Sequence, residues 1–502
     1  MAQDRQRDAA DAFPLGKRPP IGPEAVVNPF QGESLGFSPS EIFKTIVMLP
    51  IFLLRLAILA AALILAYCSV RCALIGVEDP LYKPFSRWRR ILLWPLRICA
   101  RIAMFAFGYV WISIKGTPAP RDVAPIVVSN HVSFLDPVYI FFSHMPVILS
   151  AKENAKLPIV GLFLTALQII PVDRAIRRSR RDAAAQIRRR AIDNKWPHVL
   201  IFPEGTTTNG KALISFKTGA FAQGLPIQPM CIRYPHKCIS PAWVNRSLPY
   251  VMFRLMTQLV NFMEVQYLPV VEPGLRDLKD PRHFTETVRH MMAASLGVPC
   301  TEHTFLDMKL AVMAKKLHLP PGQLPELSRM EKLFHIDYET AEAYLKKFSA
   351  MDTTHSGLLH IVDFLKALDL PLTPYTMQVF QMFDTSEKNY VNFREFMAGL
   401  AFISTHTAFS STIEAAFYAC DQDKDGFLSR KEVEQALVQT FPSLGAIQIE
   451  HLFNSLDMDH DGVISWAEFK KFLQMNPEYL AVILAAYPNL LKAPVNQLPE
   501  VQ

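Results

Sequence analysis

The chain has 502 residues, of which 50% are apolar and 20% charged, with a net charge of +6. That length allows roughly two to four domains, and the apolar share is too low for a polytopic transporter yet high for an enzyme free in solution. Seven cysteines, none in a CxxC pair, argue against a secreted disulfide framework and for a reducing, cytosol-facing setting.

Residues 1–40 are rich in Pro, Asp, Arg and Gly and lack periodicity. They read as a disordered tail, too long and too charged for the n-region of a cleaved signal peptide. Thr45 to Val70 carries a single charge, Arg55, in 26 residues, where a membrane span needs about 20. Pro50 and Arg55 hold two readings open: a spanning helix whose arginine snorkels to the interface, and a re-entrant or interfacial hairpin. A buried core helix is the plainer alternative, against which the near absence of polar residues weighs. The second apolar stretch, Ile91 to Ile114, contains Trp94, Arg97, Arg101, Tyr109 and Trp111 and suits the membrane interface better than its interior. Between the two, Lys83, Arg87, Arg89 and Arg90 are interleaved with Tyr82, Phe85 and Trp88. That composition suits a headgroup layer and puts this side, with the remainder of the chain, in the cytosol. Residues 41–115 are thus expected to be a membrane anchor, and the basic cluster is not read as a nucleic-acid site.

Over 116–300 short apolar runs alternate with helical patterns, predicting an α/β domain on a mixed sheet. Ile126–Val128 and Val199–Phe202 read as buried strands, each ending at a polar motif, as where site loops follow strand ends. The first motif is Asn130-His131-Val132-Ser133-Phe134-Leu135-Asp136. An imidazole can act as a general base near neutral pH, and a nearby carboxylate fixes its tautomer and stabilises the imidazolium. Such a pair suits activation of a hydroxyl for attack on an acyl group. HxxxxD alone occurs often by chance, but Phe202-Pro203-Glu204-Gly205-Thr206 lies downstream and raises its weight. By itself that second motif would be a strand-to-turn transition. As part of a site, Gly205 lets the loop approach a ligand and Glu204 accepts hydrogen bonds from hydroxyls.

Three further segments belong to this region. Ile170-Pro171-Val172-Asp173-Arg174 ends in an arginine able to hold a phosphate bidentately, the plainer reading being a surface salt bridge. Leu225 to Met230 reads as a proline-stiffened strand that shapes a pocket. Arg174 to Arg190 holds eight arginines, either a solvated amphipathic helix or a surface for anionic headgroups or other phosphates. Tyr250 to Val271 is apolar enough to close a pocket or touch the membrane, and the Asn245-Arg246-Ser247 sequon is read as chance.

Residues 301–335, around Leu319-Pro320-Pro321, read as a linker to an all-α EF-hand region, 336–480, with a tail, 481–502, after it. Asp421 to Glu432 fits a twelve-residue EF-hand loop. Its ligands are Asp421, Asp423, Asp425, the Phe427 carbonyl and a bidentate Glu432, with Gly426 at the turn and a water on Ser429. Asp457 to Glu468 repeats the pattern with Asp457, Asp459, Asp461, the Val463 carbonyl and Glu468. Leu428 is expected in a short strand joining the two loops. Upstream, Asp384 to Glu395 has Lys388 at position 5 and Asn389 in the glycine position. Asp352 to Asp363 keeps Gly357 but has Thr354 and Ser356 in carboxylate positions. Both upstream loops are expected to be structural, leaving calcium as a cofactor at two sites.

The order NHVSFLD, IIPVDR, FPEGT and LPIQPM resembles the four blocks of the glycerolipid acyltransferase family, over about residues 110–300. With the anchor and the EF-hands, the whole chain resembles the EF-hand-bearing lysophosphatidylcholine acyltransferases, nearest their forms 2 and 2B. The resemblance implies that His131 abstracts the proton of a glycerol-backbone hydroxyl and that Asp136 orients His131. The hydroxyl then attacks the thioester of acyl-CoA or acetyl-CoA, with no acyl-enzyme and no catalytic cysteine. Arg174, Glu204, Gly205 and Thr206 would hold the phosphate-bearing acceptor. The implied acceptors are lysophosphatidylcholine at its sn-2 position and, for acetyl transfer, lyso platelet-activating factor. The implied locations are the membranes of the endoplasmic reticulum and Golgi, and lipid droplets. Two departures stand out. Thr207 stands where such relatives usually have cysteine, which bears on acyl preference, and Pro499-Glu500-Val501-Gln502 lacks a dilysine-type retrieval signal. Two other readings compete: acylation of lysophosphatidic acid, and a calcium-sensing membrane adaptor with an inactive transferase domain.

Overall fold

The structure, a computed structural model, describes residues 27–479 except 33–37, 174–175, 237–238, 243, 245, 320–326, 328–329, 332–335, 406–408, 442–443 and 477. Arg174, Asn245 of the sequon, Pro320 and Pro321, residues 1–26 and the tail 481–502 lie outside the described residues. The chain divides into two compact units, one within residues 25–308 and one within 309–502.

The first unit is built on a mixed sheet of seven strands. They are β1 (Ile112–Lys115), β2 (Ile126–Ser129), β3 (Val147–Ala151), β4 (Ile170–Val172), β5 (Val199–Ile201), β6 (Ile227–Arg233) and β7 (Met263–Tyr267). Their order is β1-β7-β6-β2-β5-β3-β4. Neighbours pair in parallel except β6 and β7. Every residue of β2 is buried, as in strands covered on both faces. Alternation sorts the side chains: Val127 and Leu200 join Met104, Leu135, Tyr139 and Leu255 on one face. Ile126, Val128, Val199 and Ile201 join Ile187, Trp196, Phe284 and Val288 on the other. The first face is covered by helices Trp94–Ala106, Leu135–Ser143 and Leu248–Met256, the second by Arg177–Ile192 and Pro281–Leu296.

The N-terminal elements differ from the sequence expectation. Ser38 accepts the Glu41 amide at 3.2 Å and caps helix Pro39–Val47, so residues 38–40 open a helix. Residues 27–32 are also anchored: the Asn209 amide donates to Pro29 O at 2.8 Å, and Phe30 is buried edge-on to His303. Helix Leu49–Leu74 comes next, with Pro50 in its first turn, where a missing N–H costs nothing. Arg55, Leu59, Ala62, Ala66, Val70 and Ala73 form its buried stripe. Small side chains on that stripe permit close approach to helix Trp94–Ala106. The other side exposes Leu53, Leu54, Leu63, Ile64 and Leu65. With a mean hydropathy of 2.5, it is the one helix among the described residues long and apolar enough to cross a membrane.

Arg55 does not snorkel. Its Nη1 donates to Met256 O at 2.8 Å and Gln258 O at 2.5 Å, and its Nη2 to Leu259 O at 2.9 Å. A cation therefore caps the C-terminus of helix Leu248–Met256. Arg89 plays the same part for helix Leu49–Leu74, donating to Ala73 O at 2.7 Å and Ile75 O at 2.8 Å. The stretch Ile91–Ile114 folds into helix Trp94–Ala106 and an edge strand, β1, with Ile91, Trp94 and Trp111 exposed. Its arginines bind carbonyls of the same unit, Arg97 that of Phe142 at 2.8 Å and Arg101 that of Val110 at 2.7 Å. Tyr250 to Val271 supplies helix Leu248–Met256 and β7, leaving Leu259, Val260 and Phe262 exposed.

In the second unit, helices are joined by loops that pair through short antiparallel ribbons. β8 (Leu358–His360) pairs with β9 (Tyr390–Asn392), and β10 (Phe427–Ser429) with β11 (Val463–Ser465). Leu359 faces Val391 and Leu428 faces Ile464, all four buried. Helix Phe305–Lys316 occupies the start of the stretch read as a linker.

Candidate active site and calcium loops

β2 lies between β5 and β6, and the carboxyl ends of these three parallel strands bring the site together. Beyond β2, Asn130 is buried and mimics a peptide group. Its Nδ2 donates to Ile232 O at 2.8 Å, and its Oδ1 accepts the Ile232 amide at 2.7 Å. The side chain thus continues the β2–β6 ladder past its last register pair, Ser129 with Met230.

His131 is gripped by the loop after β5. Its N–H donates to Glu204 Oε1 at 2.8 Å, and its carbonyl accepts the Thr208 amide at 2.9 Å. The imidazole stacks on Phe202 at 4.1 Å between ring centres, and its side chain is 21% exposed. Asp136, in the first turn of helix Leu135–Ser143, is 0% exposed. Its Oδ2 accepts His131 Nδ1 at 2.9 Å, the Val132 amide at 2.7 Å and the Ser133 amide at 2.8 Å. Its Oδ1 accepts the Tyr234 hydroxyl. Four donors and a helix N-terminus compensate a charge that burial would otherwise disfavour. Donation to a carboxylate puts the imidazole proton on Nδ1 and leaves the lone pair on Nε2, the atom that takes a proton from a hydroxyl.

Glu204 is buried beneath His131 rather than turned toward solvent. Burial pushes its carboxyl up to about 8, opposed in part by the His131 amide. The Ile214 amide and the Thr208 hydroxyl oppose the effect of burial as well. Gly205 adopts φ +71°, which suits glycine, and Thr206 is buried. The arginine run divides. Arg190 is buried over the Trp196 ring at 4.3 Å and donates to the carbonyls of Gln168 and Leu81, and burial lowers its pKa to about 10. Arg178, Arg180, Arg181 and Arg189 are exposed. Sequence reading missed Asn130, Phe202 and Tyr234 as parts of the site. The first two lie inside its motifs, whereas Tyr234 comes after the proline-containing strand with no spacing signal.

The four loops of the second unit close by one shared hydrogen bond, from the amide at position 6 to the carboxylate at position 1. The pairs are Gly357–Asp352 at 2.7 Å, Asn389–Asp384 at 2.7 Å, Gly426–Asp421 at 3.1 Å and Gly462–Asp457 at 3.0 Å. The position-6 residues all have positive φ, which asparagine tolerates better than most residues. In the last two loops carboxylate oxygens converge: those of Asp421, Asp423 and Glu432, and those of Asp457, Asp459 and Glu468, lie within 4.8 Å of one another. Asp425 and Asp461 stay on the loop rim, where each Oδ1 accepts the amide two residues on, from Phe427 at 2.8 Å and Val463 at 2.9 Å. Burial works to raise Glu432 and Glu468, but the hydroxyls and amides of Ser429 and Ser465 and further loop amides hold both below the ordinary value. Clustered hard oxygen donors of this kind fit a calcium ion.

A family model described as Acyltransferase matches residues 112–233, and one described as an EF-hand domain pair matches residues 410–474. Lysophospholipid acyltransferase LPEAT2 of Arabidopsis thaliana is 39% identical over 467 residues, covering 92% of this chain and 86% of that protein. Lysophosphatidylcholine acyltransferase 2 of Homo sapiens is 32% identical over 505 residues, covering 97% and 92%. Lysophosphatidylcholine acyltransferase 2B of Rattus norvegicus is 30% identical over 487 residues, covering 95% and 93%. The expectation that forms 2 and 2B are nearest is thereby corrected, since the plant protein shares more identities.

Proposed function

The chain belongs to the lysophospholipid acyltransferases that carry a C-terminal EF-hand pair, and on that premise we propose that it transfers an acyl group from acyl-CoA to a lysophospholipid hydroxyl. The observation that carries this reading is the His131 Nδ1–Asp136 Oδ2 hydrogen bond of 2.9 Å, with the imidazole part-exposed and the carboxylate buried.

His131 Nε2 takes the acceptor's hydroxyl proton as the oxygen attacks the thioester carbonyl. Asp136 holds the ring and stabilises the imidazolium. The C–S bond breaks, and the departing CoA thiolate recovers the proton from His131. Arg174, Gly205 and Thr206 contact the acceptor's phosphate, while Glu204 supports the His131 loop from within. Lysophosphatidylcholine is the acceptor we favour, with acetyl transfer to lyso platelet-activating factor as a related activity. The exposed apolar face of helix Leu49–Leu74 supports bilayer association. The transferase segment, 116–300, and the EF-hand segment, 336–480, would face the cytosol at the endoplasmic reticulum and Golgi. Calcium would bind through Asp421, Asp423, Asp425, the Phe427 carbonyl and Glu432, and through Asp457, Asp459, Asp461, the Val463 carbonyl and Glu468.

The test is acyl transfer by membranes expressing the wild type or His131→Ala. Labelled acetyl-CoA and long-chain acyl-CoA are offered with lysophosphatidylcholine, lyso platelet-activating factor and lysophosphatidic acid. Transfer that vanishes with His131 supports the reading and names the acceptor. No transfer with any pair favours a calcium-sensing adaptor, and retained transfer in His131→Ala rejects His131 as the base.

A further inference from the structure

We propose that Tyr234 is a positioning residue of the transferase, whose hydroxyl, donated to Asp136 Oδ1, tunes the carboxylate that holds His131. The inference rests on the reading of His131 as the base. Asp136 divides its two oxygens unequally. Oδ2 receives His131 and the amides of Val132 and Ser133, all from the same loop. Oδ1 receives Tyr234, from a strand end 98 residues away. The loop donors are present whenever the loop is folded. The phenol is the donor to this carboxylate that comes from outside the loop, and side-chain chemistry can vary it.

Tyr234 is held where it is from three sides. Asn130 clamps Ile232 by both amide atoms, and Ile232 stands two residues before it on the strand. Arg233, between them, turns outward and donates to Ser295 O at 3.0 Å and Leu296 O at 2.7 Å. Strand alternation then points Tyr234 inward. Its ring packs edge-on against buried Tyr109 at 5.9 Å, so it cannot swing away without opening the core. Burial, reinforced by the charge of Asp136, holds the phenol well above its ordinary range, so it remains an O–H donor.

A hydrogen bond to an ionised carboxylate withdraws charge from it. Without the Tyr234 hydroxyl, Asp136 is more basic and stabilises the His131 imidazolium more strongly. The free base then exists only at higher pH, and the imidazolium yields its proton less readily to the leaving thiolate. Three other titratable groups face the pair: His131 itself, Tyr109 and Glu204. Burial keeps Tyr109 protonated, and Glu204 titrates at about 8, on the basic side. Neither moves the acidic limb of a rate profile.

The test compares pH profiles of kcat and kcat/KM in membranes carrying the full-length wild type, Tyr234→Phe, Tyr234→3-fluorotyrosine and His131→Ala, using lysophosphatidylcholine and long-chain acyl-CoA. Tyr234→Phe is expected to lower kcat at neutral pH by about tenfold or more, with KM little changed. Its acidic limb should move to higher pH by about one unit. The fluorinated phenol has nearly the same shape but is a stronger donor, so its limb should move to lower pH. An unmoved limb in either variant overturns the inference, including a Tyr234→Phe enzyme that is slower but titrates as the wild type does. If Tyr234→Phe does not fold, the fluorinated variant decides. An active His131→Ala overturns the underlying reading, whereas an inactive one beside unmoved limbs overturns only the role of Tyr234.

Discussion

The main-chain N–H of His131 donates to Oε1 of Glu204 at 2.8 Å, so the glutamate of the second motif braces the histidine of the first from inside the protein. Glu204 has its pKa raised from the ordinary 4.5 to about 8 by burial. The folded state therefore prefers the protonated carboxyl. That contribution is fully present below the unfolded pKa and is lost as pH rises through about 8. Glutamine preserves the acceptor and cannot ionise. Thermal melts of the wild type should fall in Tm between about pH 6 and about pH 9, and those of Glu204→Gln should fall less. Parallel melting curves for the two proteins would show that Glu204 does not titrate in this range.

Asp136→Asn keeps the volume of the side chain but not its charge or its four accepted hydrogen bonds. Asparagine can turn its one carbonyl oxygen to the His131, Val132 and Ser133 donors and its amide nitrogen to the Tyr234 hydroxyl, but it lacks the negative charge that stabilises the His131 imidazolium. Acyl transfer should drop on the order of a thousandfold or more. Transfer assays on membranes with matched expression check this, and a loss below tenfold would mean that the charge of Asp136 contributes little.

Arg55→Met tests the cap between helix Leu49–Leu74 and the end of helix Leu248–Met256. The methionine fits an apolar helix but leaves the carbonyls of Met256, Gln258 and Leu259 without their donor. Destabilisation of about 3 kcal/mol is expected, larger than for any exposed leucine of the same helix changed to methionine. Melting of the detergent-solubilised protein measures it. A melt equal to that of the wild type would mean that solvent or lipid headgroups replace the arginine.

Calorimetric titration of the full-length protein should register two calcium ions per chain, with Kd on the order of micromolar. Glu432→Gln and Glu468→Gln should each weaken one site, because each removes a charged ligand from a convergent carboxylate group. The Asp384 loop should add no heat. Lys388 stands at position 5, where an acidic ligand would, so the loop offers a cation in place of an oxygen donor. A stoichiometry above two would contradict that reading.

The motifs were legible in the sequence because their geometry closes within a few residues. Asp136 reaches back to Val132 and Ser133 in one turn, and each EF-like loop folds its position-6 amide onto its own first carboxylate. Periodicity likewise foretold β2 and β5, since buried strands demand uninterrupted apolar runs. What the tertiary structure decided are partnerships between distant segments. Arg55 looked like a snorkelling residue until helix Leu248–Met256, about 200 positions away, presented its terminal carbonyls. Glu204 looked like a ligand group until the packing of β5 beside β2 buried it under His131. Tyr234 carried no local signature, because its role exists only where β6 ends next to β2. Local hydrogen bonds are set by residue type and spacing, whereas burial and the choice of a remote partner depend on which strands lie side by side, and that is a property of the assembled sheet.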